Sequence, residues 1–200
     1  RLFHKGEFYN LTLKAKSNSD IENNIKLKVK YEDKYYVQDV LSNYIEIKEE
    51  ELKLSFSPFP IIPTKRLHLR KIKSEDKNEI FYLKSNEEVL YYLDNPKHDT
   101  IEETKIYIDK INNGIIQNDW IQWGITLSGS EKVIGTICLW NISKESKTAE
   151  VGYDLMTEYQ GKGIMQEALM AVVKYAFKII KFNSLTAFTH KNNEKSIEQD

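Results

Sequence analysis

Residues 148–181 read TAEVGYDLMTEYQGKGIMQEALMAVVKYAFKIIK, and no other stretch restricts the fold so tightly. The run KTAEVGYDLM alternates apolar and polar residues with period two, as a half-buried strand does. Gly161 and Gly163 then interrupt the chain. Beyond them Ile164, Ala168, Val172, Ala176 and Ile179 fall on one helical face, reinforced by Met165, Leu169, Val173 and Ile180, while Glu167, Lys174, Lys178 and Lys181 take the other. A strand that feeds directly into an amphipathic helix predicts a layered architecture in which the helix packs on its own sheet. The lysines gather in the last turns, where the helix dipole favours cations.

The remaining elements extend this plan. RLHLRKI alternates as a strand over residues 66–72, and SEDKNEIFYLKSNEEVLYYL follows with Ile80, Leu83, Val89, Leu90 and Leu93 near helical spacing. Asn95 and Pro96 close that helix. Thr100 and Glu103 form a capping box at the start of a second helix, whose stripe is Ile101, Ile108, Ile111 and Ile115. DWIQWGITL, KVIGTICLWNI and KTAEVGYDLM are three strands joined by turns short enough for antiparallel hairpins. After the long helix come a strand, SLTAFTH, and the beginning of another helix at Asn192. The expected class is α/β (α+β): a mixed, mostly antiparallel sheet flanked by helices.

Residues 1–57 have a different texture. FYNLTLKAK, NIKLKVKYE, KYYVQDV and NYIEIKEEELKLSFS alternate with period two, which predicts a small β-rich segment of unknown function, readable as the end of another domain. Pro58, Pro60 and Pro63 make residues 58–63 a stiff linker, because each proline lacks a ladder donor. The second domain then spans 64–200. It is expected to be truncated at its C-terminus, since the chain begins without methionine and stops at Asp200 inside a polar, helix-like segment.

Acidic and basic residues nearly cancel, 30 against 29, so no overall field draws the chain to nucleic acid or to an anionic membrane. No run approaches the ~20 apolar residues of a membrane span. Cys138 is the sole cysteine, which rules out an internal disulfide and a cysteine zinc site and suits a reducing, cytoplasmic setting. His68, His98 and His190 lie on separate elements without ligand spacing, so no metal is expected. Trp120, Trp123 and Trp140 sit on strands, where aromatic packing is the expected role.

The glycine turn carries the chemistry. A helix start leaves four amides unpaired and bears partial positive charge, and glycines before it remove side chains that would keep an anion away. Gln160 can add a side-chain amide and Lys162 a full charge. Two glycines also make an ordinary strand-to-helix turn, and neither the P-loop nor the dinucleotide glycine pattern is present.

Context adds to this. The order GYDLM, turn, helix resembles the acetyl-CoA segment of the GCN5-related N-acetyltransferases (GNAT), whose pattern is [QR]-x-x-G-x-[GA]. Gln160, Gly161, Lys162, Gly163 and Ile164 match its first five positions, and Met165 departs at the sixth. Within that superfamily AEVGYDLMTEYQGKGIMQEAL is similar to the ribosomal-protein alanine acetyltransferases, as are TKRLHLRKI and the tail NNEKS. The resemblance covers residues 62–200 and implies acetyl transfer from acetyl-CoA, as cosubstrate, to a primary amine, either a protein N-terminus or a small amine, by direct attack. It equally admits a non-catalytic module that holds coenzyme A or a protein, and it leaves monomer and homodimer open.

The resemblance also implies roles. Amides around Leu155 and Met156, freed where the strand splays from its parallel neighbour, would bond the pantetheine. Gln160, Gly161, Lys162, Gly163, Ile164 and Met165 would seat the pyrophosphate, Asn193 would bond the amide arm, and Ser196 would approach the sulfur as a catalytic residue. For the base we choose Glu150, which alternation places with Gly152 and Asp154 on one face of its strand, opposite Val151, Tyr153 and Leu155. Burial at the centre of a sheet would raise the pKa of such a carboxylate toward neutrality. Trp140 or Tyr92 can wall the acceptor side. Glu87, Glu88, Asp94 and Asp99 hint at a cationic acceptor or are simply solvated helix ends.

Overall fold

A computed structural model of the chain describes residues 8–14, 24–31, 34–42, 52, 54–91, 93 and 96–190, with the backbone alone for residues 8–42, 189 and 190. The strands are β1 Phe8–Lys14, β2 Asn24–Tyr31, β3 Lys34–Ser42, β4 Ile62–Pro63, β5 Leu67–Lys71, β6 Ile121–Leu127, β7 Val133–Ser143, β8 Thr148–Leu155 and β9 Ser184–His190. The helices are α1 Lys77–Ser85, α2 Glu87–Leu90, α3 Ile101–Gln117 and α4 Ile164–Tyr175. They flank one mixed sheet of order β3-β2-β1-β9-β8-β7-β6-β5-β4. Every described pair is antiparallel except β8 with β9. Among the described residues no helix is long and apolar enough to cross a membrane.

Among the described residues of the N-terminal segment, β1 to β3 continue this same sheet, because β1 pairs antiparallel with β9 from Phe8↔His190 to Lys14↔Ser184, while most of the fourth expected run, residues 43–51 and 53, lies outside the described residues. The chain around the proline stretch packs on the core. Phe56 is buried in the main core, and its amide donates to Asn118 Oδ1 at 2.7 Å. Asn118 is the left-handed C-cap of α3, so one side chain ties a helix end to the incoming chain. Phe59 packs edge-on against Trp123, and the Trp123 indole donates to the Pro60 carbonyl at 2.7 Å. Proline denies only the N–H, so Pro60 still supplies an acceptor to a buried indole.

Two helices depart from their sequence patterns for local reasons. Asn86 adopts extended backbone, and its side chain accepts from the amides of Glu88 and Val89, which ends α1 and starts α2 where a single helix is expected. In α3 the Thr100 hydroxyl accepts from Glu103 N as expected, but the Glu103 carboxylate reaches the amide of Asp99, one residue before the cap. Further on, α4 continues as a π turn over Ala176–Ile180 and stops at Lys181 in left-handed backbone. A π turn inserts an extra residue into the helical period. Ile179 is therefore 67% exposed, against expectation, while Phe177 and Ile180 turn inward.

The main core lies between the sheet and α4, with Leu67, Leu69, Trp123, Ile125, Ile137, Leu139, Val151, Ala168, Val172 and Phe177 among its members. A smaller cluster under α1 and α3 contains Ile72, Ile80, Leu83, Ile108, Val133 and Met156.

Candidate active site

β8 runs beside β7 along most of its length, from Ser143↔Thr148 to Gly135↔Leu155. With β9 it pairs only from Thr148↔Ser184 to Val151↔Ala187. Past that point β8 continues to Leu155 and β9 to His190 with no ladder between them, so the two parallel strands part in a V.

Main-chain donors follow from alternation. Met156 N donates to Ile134 O across β7 at 2.9 Å, so the Met156 amide is engaged and is not one of the freed donors expected there. Successive amides of a strand point to opposite sides. The Leu155 N–H therefore faces the open side of the V. The Met156 side chain is buried in the smaller cluster, and Ile164 and Met165 are buried in the main core, so none of the three side chains is open to a ligand.

The turn is short. A 3-10 turn at Thr157–Tyr159 leads into Gln160, whose side-chain amide donates to Leu155 O at 3.1 Å and fastens the strand end instead of projecting outward. Gly161 and Gly163 both adopt left-handed backbone, at φ 69° and 66°, where an L side chain is strained. A Cβ on Gly161 would meet nothing within 4 Å, so its missing side chain leaves open space. Gly163 is the N-cap of α4 and has no side chain to cap with, and its carbonyl already accepts from Glu167 N. The amides of Ile164, Met165 and Gln166 thus lack helical acceptors and lie at the positive end of the dipole. Lys162 is exposed, with its ammonium 5.8 Å from the centre of the Tyr159 ring.

The β5 end holds this turn from behind. Arg66 Nη1 donates to Lys162 O at 3.0 Å, Nη2 donates to Gly163 O at 2.9 Å, and Nε pairs with Glu167. Thr64 Oγ1 and Arg66 N both donate to the other Glu167 oxygen, at 2.6 and 2.9 Å. Burial works against the charge of Glu167, but the bonds from Thr64 and Arg66 hold its carboxyl below the usual carboxylate range. Neither the strand pattern of residues 66–72 nor the polar helix face that holds Glu167 signals this junction.

At the closed end of the V stands Glu150, part-exposed, opposite Trp140 on β7 and Thr186 on β9. Its Oε1 accepts from Asn141 Nδ2 at 2.6 Å. The desolvation expected at Glu150 is found four residues on, at Asp154. Asp154 is buried, its Oδ2 2.6 Å from Lys84 Nζ and its Oδ1 accepting from both the amide and the hydroxyl of Thr136. Lys84 is equally buried, and although burial opposes its charge, Asp154 holds its pKa above the ordinary lysine range. Around the pair, Thr136 accepts from Gln122, Gln122 accepts from Tyr107, and the Lys84 ammonium is 5.3 Å from the Tyr107 ring. Cys138 keeps some surface exposure, but its enclosed thiol is pushed up to about 12 by burial, which leaves little thiolate to react.

Trp120 and Trp123 pack as expected, whereas Trp140 is 48% exposed beside Gly152. Of the acidic residues, Glu87 is spent on Lys97 at 3.0 Å, Glu88 and Asp99 are exposed, and Asp94 lies outside the described residues. Tyr92, Asn193 and Ser196 also lie outside them.

His98 shares a 2.9 Å hydrogen bond with Thr104 and stacks edge-on to Tyr107. Burial, and then the charge of Lys84, lower its pKa from 6.5. The unfolded chain therefore binds the extra proton first as pH falls, so the contribution of His98 is full above pH 6.5 and fades below it. Urea unfolding between pH 5 and 7.5 is expected to show stability rising with pH, with a flatter rise in His98→Asn.

The comparisons agree with this geometry. The acetyltransferase (GNAT) domain family matches residues 66–198. The uncharacterized N-acetyltransferase YoaA of Bacillus subtilis (strain 168) is 31% identical over 138 residues, 69% of this chain and 78% of that protein. The ribosomal-protein-S5-alanine acetyltransferase of Vibrio fischeri superposes with a TM-score of 0.61 at 26% identity, covering 69% of this chain and 78% of that one. RimL, a ribosomal L7/L12 alpha-N-protein acetyltransferase solved in complex with coenzyme A, shares the fold with a TM-score of 0.62 at 24% identity, covering 69% and 79%. The chain belongs to the GNAT family and is an acetyl-CoA-dependent N-acetyltransferase. Its glycine turn fits that cosubstrate, since two glycines in left-handed backbone and an uncapped helix start leave room and donors for a diphosphate.

Proposed function

We propose that the chain acetylates a primary amine, of a protein N-terminus or a small molecule, by direct attack in the cleft between β8 and β9. The observation that carries this reading is the parting of these strands after Val151 and Ala187, with a carboxylate at the closed end and the glycine turn at the open end. Roughly 17 Å of strand separate Glu150 from Leu155 at ~3.3 Å per residue, enough for an extended pantetheine arm. Acetyl-CoA supplies an activated acetyl thioester.

The residues then divide the work. Gly161, Lys162, Gly163 and the amides of Ile164 and Met165 hold the diphosphate, and Gln160 keeps Leu155 in place. The Leu155 N–H lies where it can bond the arm or polarise the thioester carbonyl. Glu150 takes the proton that the attacking amine must lose as the C–N bond forms and the C–S bond breaks. Ser196 is proposed to face the leaving sulfur and Asn193 the amide arm. Ribosomal-protein acetyltransferases among the relatives favour a protein N-terminus as the acceptor.

Coenzyme A at 100 times its Kd is expected to stabilise the chain by about 2.7 kcal/mol, read as a rise of several degrees in Tm. Acetyl-CoA turnover against peptides with free N-termini and against small polyamines then separates the two acceptor classes. Coenzyme A binding without transfer to any amine would leave a binding module in place of an enzyme.

A further inference from the structure

We propose that Arg66 is the positioning residue of the diphosphate seat: from the start of β5 it fixes the glycine turn so that the turn's amides face the ligand. This inference rests on the coenzyme A reading above. The two acceptors of its guanidinium are successive carbonyls, Lys162 O at 3.0 Å and Gly163 O at 2.9 Å. In a trans peptide the carbonyl and the following N–H point in opposite directions. Drawing these carbonyls inward to Arg66 therefore turns the Gly163 and Ile164 N–H groups outward, away from β5. Glycines in left-handed backbone are free to adopt many orientations. A planar fork with fixed donors is the kind of group that selects one of them.

Arg66 also removes an electrostatic obstacle. Glu167 sits in the first turn of α4, where its carboxylate opposes a diphosphate on the same helix start. Three donors converge on it, Thr64 Oγ1, Arg66 N and Arg66 Nε, so its charge is spent inside the junction. The arginine side chain is 47% exposed and contributes little to the core, so its removal acts on the turn more than on folding.

The test compares acetyl-CoA with S-acetyl-pantetheine, which carries the same thioester without the diphosphate. For Arg66→Ala, KM for acetyl-CoA is expected to rise about 10- to 100-fold with kcat within about twofold, as when charge-assisted bonds are lost. The penalty in kcat/KM with acetyl-CoA should exceed that with S-acetyl-pantetheine by a similar factor. Arg66→Lys should restore little, because an ammonium cannot hold two carbonyls and a carboxylate in one plane. Equal penalties with both donors, or rescue by lysine, would overturn the inference, since a general structural role produces both. Calorimetry separates it from the parent reading. Wild type that binds coenzyme A, with Arg66→Ala binding equally well, overturns this inference alone. Wild type that does not bind coenzyme A overturns both.

Discussion

Lys84→Met is expected to lower folding stability by about 3–5 kcal/mol, the range seen when one partner of a buried ion pair is removed. Side-chain exposure is 7% for Lys84 and 3% for Asp154, so water cannot replace the lost ammonium. Asp154 would keep only its bonds from Thr136, on one oxygen, with the other carrying uncompensated charge. The double variant Lys84→Met, Asp154→Asn should recover much of the loss, because asparagine still accepts from Thr136 and carries no charge. Urea unfolding of wild type, the two single variants Lys84→Met and Asp154→Asn, and the double variant forms the cycle that isolates the pair. A single variant within 1 kcal/mol of wild type would show that the pair does not hold β8 to α1. Lys84 has its pKa raised by Asp154, so its contribution is full below pH 10.5 and is lost only above it.

Glu150→Gln should depress kcat/KM by about 10²- to 10⁴-fold, the usual contribution of a positioned base, and leave coenzyme A affinity unchanged. The amide keeps nearly the same shape but cannot take the proton. The wild-type rate should fall at acid pH as the attacking amine becomes protonated. Steady-state rates from pH 6 to 9, with coenzyme A affinity measured in parallel, test both statements. Unchanged turnover would remove Glu150 from the mechanism and turn attention to a water chain from another carboxylate.

Much of this arrangement is legible in the sequence wherever the information is local. The strands β6 to β8 follow from period two, α3 from its Thr100 cap and isoleucine stripe, and the glycine turn from Gly161 and Gly163 placed between a strand and an amphipathic helix. What escapes is long-range pairing. Lys84 lies in KSNEE, a segment that reads as solvated, and its partner is 70 residues away. Glu167 reads as the polar face of a helix until Arg66, 101 residues earlier, closes on it. The inward rotation of Phe177 depends on a π turn, which leaves no periodic signature in advance. Desolvation was assigned to Glu150 because alternation names a face without saying how deeply each residue on it is covered, and depth is decided by α1.

The incoming proline strand bears on where this protein can be cut. The family match begins at Arg66, yet Phe56, Phe59 and Pro60 already fill or bond the interior beneath Trp123, and Asn118 caps its helix on Phe56. The border of the family match and the border of the packed interior thus differ. A shortened protein that starts at the family boundary would retain every proposed catalytic group and still lack a piece of its own interior.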